Sequence, residues 1–216
     1  MKSRIALFVH QPYCSIQSGN GVIRALEQHY NFKIFTRHDL ERDFFDDVDM
    51  ICFPGGLGDA DKFDFLTREH VKKIQNFVRR GGAYLGICMG AYWAGPNYFN
   101  LLDQVDPVQY IKRPYTDTRR PHAKNIDITW QGKSDKMFFY DGCALVGNEH
   151  KFTTIARYAN NDPMAIIQNR IGLIGCHPES QPFWYDDYSW MRGKYHQGSH
   201  FDLLLEFVDS ILRHGY

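Results

Sequence analysis

The 216-residue sequence lacks paired cysteines. Its five cysteines, Cys14, Cys52, Cys88, Cys143 and Cys176, are odd in number, widely spaced and form no CxxC pair. That excludes a disulfide framework and a zinc knuckle as the organising principle. An excess of charge is missing as well: 25 Lys+Arg balance 25 Asp+Glu. A neutral chain has no global attraction for nucleic acid or anionic lipid, so no nucleic-acid and no membrane partner is expected. Long apolar runs are absent. Residues 83–102 carry no charge but hold Gly86, Gly90, Gly95, Pro96, Asn97 and Asn100, which reads poorly as a spanning helix. The apolar run near the N-terminus is too short for a signal peptide and has no small-residue cleavage site. Repeats, low-complexity tracts and linkers are not seen, so a single domain over 1–216 and a cytoplasmic location are the expectations.

What the chain does contain is alternation of short apolar runs with helical stripes. Residues 4–10 (RIALFVH) read as a strand buried on both faces. Ser18–Gly19–Asn20–Gly21 reads as turn chemistry, after which Val22, Ile23, Leu26 and Tyr30 fall on helical spacing. Residues 32–36 and 48–53 are further strands, the latter ending at Pro54–Gly55–Gly56. A helix follows, with Thr67 as N-cap, Val71, Ile74, Phe77 and Val78 as its stripe and Gly81 as its stop. Residues 83–88 form a fourth strand. This alternation predicts a parallel sheet with helices on both sides. The basic stretch 112–124 reads as a loop. Residues 126–130, 137–140 and 153–158 predict an antiparallel extension. Residues 164–168 and 171–176 flank a hairpin turn at Asn169–Arg170. The last helix takes Ser199 as cap, an apolar face from Phe201 to Leu212, and Gly215 as its end.

Three segments carry chemistry, each at the carboxyl end of an expected strand, where open α/β sheets place their sites. Gly86–Ile87–Cys88–Met89–Gly90 has the pattern of a nucleophile elbow, with Cys in place of Ser. A thiolate there is favoured by the N–H groups at the start of a helix. His177–Pro178–Glu179 supplies an imidazole and a carboxylate to orient it. Pro54–Gly55–Gly56–Leu57–Gly58 lets backbone N–H groups face an oxyanion, with Gly56 and Met89 as the donors. Taken singly, each segment has a bland alternative: a buried cysteine, a solvated turn, a Gly-rich loop.

Together the three resemble the class I glutamine amidotransferase-like superfamily, in the order PGG loop, G-x-C-x-G elbow, H-P-E. The extended elbow from Tyr84 to Ala94 is most similar to the amidotransferase-like domain at the N-terminus of biotin–protein ligases and its stand-alone relatives. The resemblance implies a flavodoxin-like three-layer α/β sandwich with a mostly parallel central sheet and an antiparallel extension. It also implies Cys88 as nucleophile, His177 as base and Glu179 as its orienter. Glutamine-hydrolysing members usually carry Gln or His after the second elbow glycine, where this chain has Ala91–Tyr92. The triad therefore carries over and the glutamine contacts do not. A synthetase or biotin-ligase catalytic domain to receive ammonia is not evident, so such a partner would act in trans.

The expected activity is an amidohydrolase or amidotransferase-like one, opening a carboxamide or related acyl group through a thioester on Cys88. The substrate would be a small amide-bearing molecule and no cofactor is required. Gly55, Tyr92 and His10 are the candidate substrate contacts. Two other readings remain: a non-catalytic metabolite-binding or regulatory module, and a cysteine peptidase of the same superfamily. Cys14 and Cys176 receive no role. The aromatic stretch 181–193 is a pocket wall, a dimer patch or a packed loop. His196 and His200 lack a third ligand at helical spacing, so no metal site is assigned.

Overall fold

A computed structural model describes residues 2–11, 15–40, 43–56 and 59–213. Cys14, Leu57–Gly58 and Gly215 lie outside them. Four short strands, β1 (Arg4–Phe8), β2 (Asn31–Phe35), β3 (Met50–Phe53) and β4 (Ala83–Ile87), pair in parallel. Residues 5–8 of β1 and all of β3 and β4 are buried, because alternate side chains enter two different cores. Ile5 and Leu7 face a core with Val22 and Leu26 of helix α1 (Ile16–Leu26). Ala6 and Phe8 face the opposite core with Phe53, Phe63, Ile74 and Trp93. Phe63, Ile74 and Trp93 come from helices α2 (Ala60–Thr67), α3 (Val71–Arg79) and α4 (Met89–Trp93).

The remaining strands are β5 (Val105–Gln109), β6 (Lys124–Trp130), β7 (Lys133–Phe139), β8 (Cys143–Gly147), β9 (Thr153–Tyr158), β10 (Pro163–Gln168) and β11 (Ile171–Ile174). The main sheet has nine strands in the order β2-β1-β3-β4-β11-β10-β9-β6-β7, and β5 pairs with β8 separately. The strands from β10 to β7 are the expected antiparallel extension. Asn169–Arg170 is the two-residue turn between β10 and β11, with Asn169 at φ 54°. The pairing of β5 with β8 was not anticipated. Helix α5 (Pro182–Asp186) is short, and α6 (Ser199–Arg213) packs its Leu204, Phe207, Val208 and Ile211 into the same core as α1. The result is a three-layer α/β sandwich, as expected.

Three local readings are corrected. Ser18–Gly19–Asn20–Gly21 is helix, not turn: α1 starts at Ile16, and Ser15 accepts the Ser18 N–H at 3.2 Å as its N-cap. Its glycine at 21 serves close packing, since a Cβ there would stand 2.2 Å from the Glu179 carbonyl oxygen. Thr67 ends α2, and its hydroxyl donates back to the Phe63 carbonyl at 2.8 Å instead of capping α3. Ser199 is the first residue of α6, and the His196 ring takes the capping role: its Nδ1 accepts the N–H groups of Gly198 (3.1 Å) and His200 (3.3 Å).

Candidate active site

Between β4 and α4 the backbone turns at Cys88, whose φ of 49° and ψ of −101° are strained for a residue with a side chain. Both sides of the turn are pinned. The Cys88 N–H donates to the Ile174 carbonyl at 2.8 Å, while its own carbonyl accepts the N–H groups of Ala91 (3.0 Å) and Tyr92 (3.1 Å). The buried Tyr84 hydroxyl donates to the Gly90 carbonyl at 2.7 Å. The two elbow glycines are demanded by space. A Cβ on Gly86 would lie 2.4 Å from the Gly90 carbonyl oxygen, and one on Gly90 would lie 1.9 Å from that of Phe53.

The loop after β11 delivers His177 and Glu179. The His177 N–H donates to the Phe138 carbonyl at 2.9 Å, tying this loop to the end of β7. His177 Nδ1 stands 2.8 Å from Glu179 Oε1, in the geometry of an imidazole N–H donating to a carboxylate. The Glu179 carboxylate is fully buried, and the same Oε1 accepts the Ser18 hydroxyl at 2.6 Å. Ser18 Oγ in turn accepts the Gly55 N–H at 2.8 Å. One relay thus joins the PGG loop, α1 and the HPE loop. Glu179 Oε2 has no hydrogen-bond partner among the described residues.

With Nδ1 committed to Glu179, the imidazole shares the wall of one cavity with Cys88. Burial pulls the His177 pKa down. The Glu179 carboxylate, hydrogen-bonded to the ring, and the neighbouring Cys88 overcome it and leave the pKa pushed up to about 10. Cys88 as a thiol also reaches the Tyr140 carbonyl at 3.7 Å. Phe138 and Trp184 pack edge-on against the imidazole, with ring centroids at 5.9 and 5.5 Å. A Cβ on Gly55 would stand 2.7 Å from His177 Cε1, so this glycine leaves room for the ring.

Cys88 lies between two cavities. One, of about 190 Å³, is lined by His177, Phe138, Tyr140, Trp184, Tyr188 and Asp187, together with Ser15, Gln17, Ser18, Gly55 and Gly56. The other, of about 400 Å³, is lined by Gly56, Met89, Tyr92, Tyr140 and Asp141, with Asp59, Tyr98 and Gln109. Of the substrate contacts expected from sequence, Gly55 reaches the first cavity and Tyr92 the second. The Tyr92 hydroxyl donates to the Asp141 carbonyl at 3.1 Å. Gln109 Nε2 donates to the Asp141 carboxylate at 3.1 and 3.3 Å, and burial raises the pKa of that carboxyl. His10 is not brought to the site. It lines neither cavity, and its ring lies 6.3 Å from His38 and 6.1 Å from Phe65. Gly56 and Met89, the expected oxyanion donors, both border the larger cavity beside Cys88.

Residues 14–103 match the family model described as "Biotin-protein ligase, N terminal". A curated relative, an uncharacterized protein of Chlamydia muridarum (strain MoPn / Nigg), is 31% identical over 162 residues, 62% of this chain and 61% of that protein. The chain therefore spans about three fifths of the length of that relative. Among solved structures, a glutamine amidotransferase is similar at a TM-score of 0.66 with 14% identity, covering 97% of this chain and 98% of its own. PurLQS from Thermotoga maritima is similar at 0.65 with 16% identity, over 98% and 100%. The family match over residues 14–103 and the shared fold support the class I glutamine amidotransferase-like superfamily. In this fold the elbow, the PGG loop and the HPE loop converge on one cavity.

Sequence reasoning missed Ser18, Phe138, Tyr140 and Asp141 as parts of this site. Ser18 was hidden because a Ser-Gly-Asn-Gly string suggests a turn. Phe138, Tyr140 and Asp141 lie at and after the end of the antiparallel extension, far from the elbow in strand order. Trp184 and Tyr188 had a visible signal in the aromatic stretch 181–193.

Proposed function

We propose that the chain is a cysteine-nucleophile hydrolase of carboxamide C–N bonds. Cys88 attacks as the thiolate, and its sulfur–carbon bond forms while the Gly56 and Met89 amides hold the oxyanion. As the C–N bond breaks, its electron pair stays on nitrogen, which takes the proton from His177. Water then adds to the thioester, giving its proton to His177, and the carbon–sulfur bond breaks to restore thiolate and imidazolium. Glu179 holds the imidazole in the productive orientation, and Ser18 holds Glu179. The observation that carries this reading is the His177–Glu179–Ser18 hydrogen-bond relay on the wall of the cavity that Cys88 lines from a strained strand-to-helix turn.

The similarity to glutamine amidotransferases supports the reaction class and leaves the substrate open. Where glutamine-hydrolysing relatives usually place Gln or His, Tyr92 directs its hydroxyl at the Asp141 carbonyl. This favours an acyl group other than that of glutamine. A synthetase or biotin-ligase-like partner in trans belongs to the reading in which the released amine is ammonia.

The direct test is trapping. Incubation with a panel of amides, followed by acid quench and intact mass measurement, is expected to show an acyl adduct on Cys88. The adduct is expected to vanish in Cys88→Ala and to accumulate slowly in His177→Ala. A protein that binds such amides without ever forming the adduct would instead be the non-catalytic metabolite-binding module.

A further inference from the structure

The two cavities that meet at Cys88 have different chemistry, and the triad dictates which half of a substrate each receives. This deduction rests on the Cys–His–Glu reading above. The departing nitrogen must take its proton from His177, so the amine half lies on the His177 side. His177 borders only the cavity of about 190 Å³, whereas Met89 and Tyr92 border only the cavity of about 400 Å³. The acyl half therefore occupies the Tyr92–Asp141 side and the amine half the His177 side.

Ammonia is about the size of water, and a water needs only about 10–15 Å³ of such space. The amine-side cavity is more than tenfold larger. Its wall is aromatic: Phe138, Tyr140, Trp184 and Tyr188. Phe138 and Trp184 meet edge-to-face at 5.2 Å, so the wall is preformed. Asp187, Ser15 and Gln17 add polar groups to its lining, and Tyr140 is 45% exposed.

We propose that the enzyme opens substituted amides whose departing amine carries an aromatic or flat apolar group, in preference to primary carboxamides that release ammonia. The ring of the amine lies against Phe138, Trp184 and Tyr188. The sulfur–carbon bond forms, the C–N bond breaks with its pair on nitrogen, and His177 protonates the departing aryl or aralkyl amine.

The test is acylation of Cys88 by matched pairs that share an acyl group: a 4-nitroanilide or benzylamide and the corresponding primary carboxamide. Both members of a pair form the same thioester, so their second-order acylation rates, read by quenched mass measurement, compare the amine half alone. The expected result is a preference of about tenfold or more for the aromatic amide, sharply reduced in Tyr188→Ala. A second readout is partitioning of the acyl-enzyme: added benzylamine is expected to capture it more efficiently than added ammonia. Equal or faster acylation by primary carboxamides, with no preference for benzylamine, overturns the inference while leaving the triad standing. No acylation of Cys88 by any member overturns both.

Discussion

Cys88 adopts a φ that residues with side chains avoid, held there by hydrogen bonds on both sides of the turn. Of the two glycines that flank it, Gly90 has the closer backbone approach, so Gly90→Ala must displace the Phe53 carbonyl. Overpacking against backbone places the expected loss at about 3 kcal/mol, measured by urea unfolding. Ser18→Ala acts through a different physical cause. It removes one of the two hydrogen bonds to a fully buried carboxylate and leaves the Gly55 N–H unpaired. A loss of about 2 kcal/mol in stability is expected, together with a fall in Cys88 reactivity as Glu179 and His177 lose their alignment. For His177 the folded pKa is raised to about 10 against an ordinary 6.5. Its contribution to stability is present in full below 6.5 and is lost as pH rises through about 10. A ring-proton NMR titration is expected to show His177 still cationic at neutral pH, and Glu179→Gln to bring its pKa down, because burial then acts with less opposition.

At the scale of elements, helix α1 shows how composition misleads. Two glycines in four residues argue for a turn on propensity alone. In the fold, Gly21 sits where the helix presses against the Glu179 backbone, a tertiary requirement that local pattern does not carry. The hairpin at Asn169–Arg170 was legible because its signal is local. Helix α6 supplies a pH-dependent element. His196 caps its start through Nδ1 and donates from Nε2 to the Ser180 carbonyl at 2.9 Å, next to Glu179. Burial, aided by the neighbouring His200, lowers its pKa to about 4. The unfolded ring binds its proton near 6.5 and the folded ring near 4, so this stabilisation is complete above 6.5 and is lost as pH falls through about 4. Thermal melting between pH 7 and 4 is expected to show a falling midpoint, with a shallower slope in His196→Asn.

At the scale of the whole molecule, the parallel half of the sheet and the position of the elbow were readable from alternating apolar runs. The other wall of the site was not. Four strands separate β7 from β4 in the sheet, yet His177 donates to Phe138 at the end of β7. The segment after β7 thus reaches the nucleophile, with the Tyr140 carbonyl 3.7 Å from Cys88 Sγ, and no spacing in the sequence encodes that. The central claim is that Cys88 and His177 act as one unit in this enclosure. Its most direct measurement is the rate of Cys88 alkylation by iodoacetamide as a function of pH, followed at the peptide level in the native chain and in His177→Ala. The expected result is fast alkylation at neutral pH, exceeding that of a free thiol and lost in His177→Ala. A Cys88 that reacts no faster than a free thiol at neutral pH, and identically in both proteins, would contradict the account.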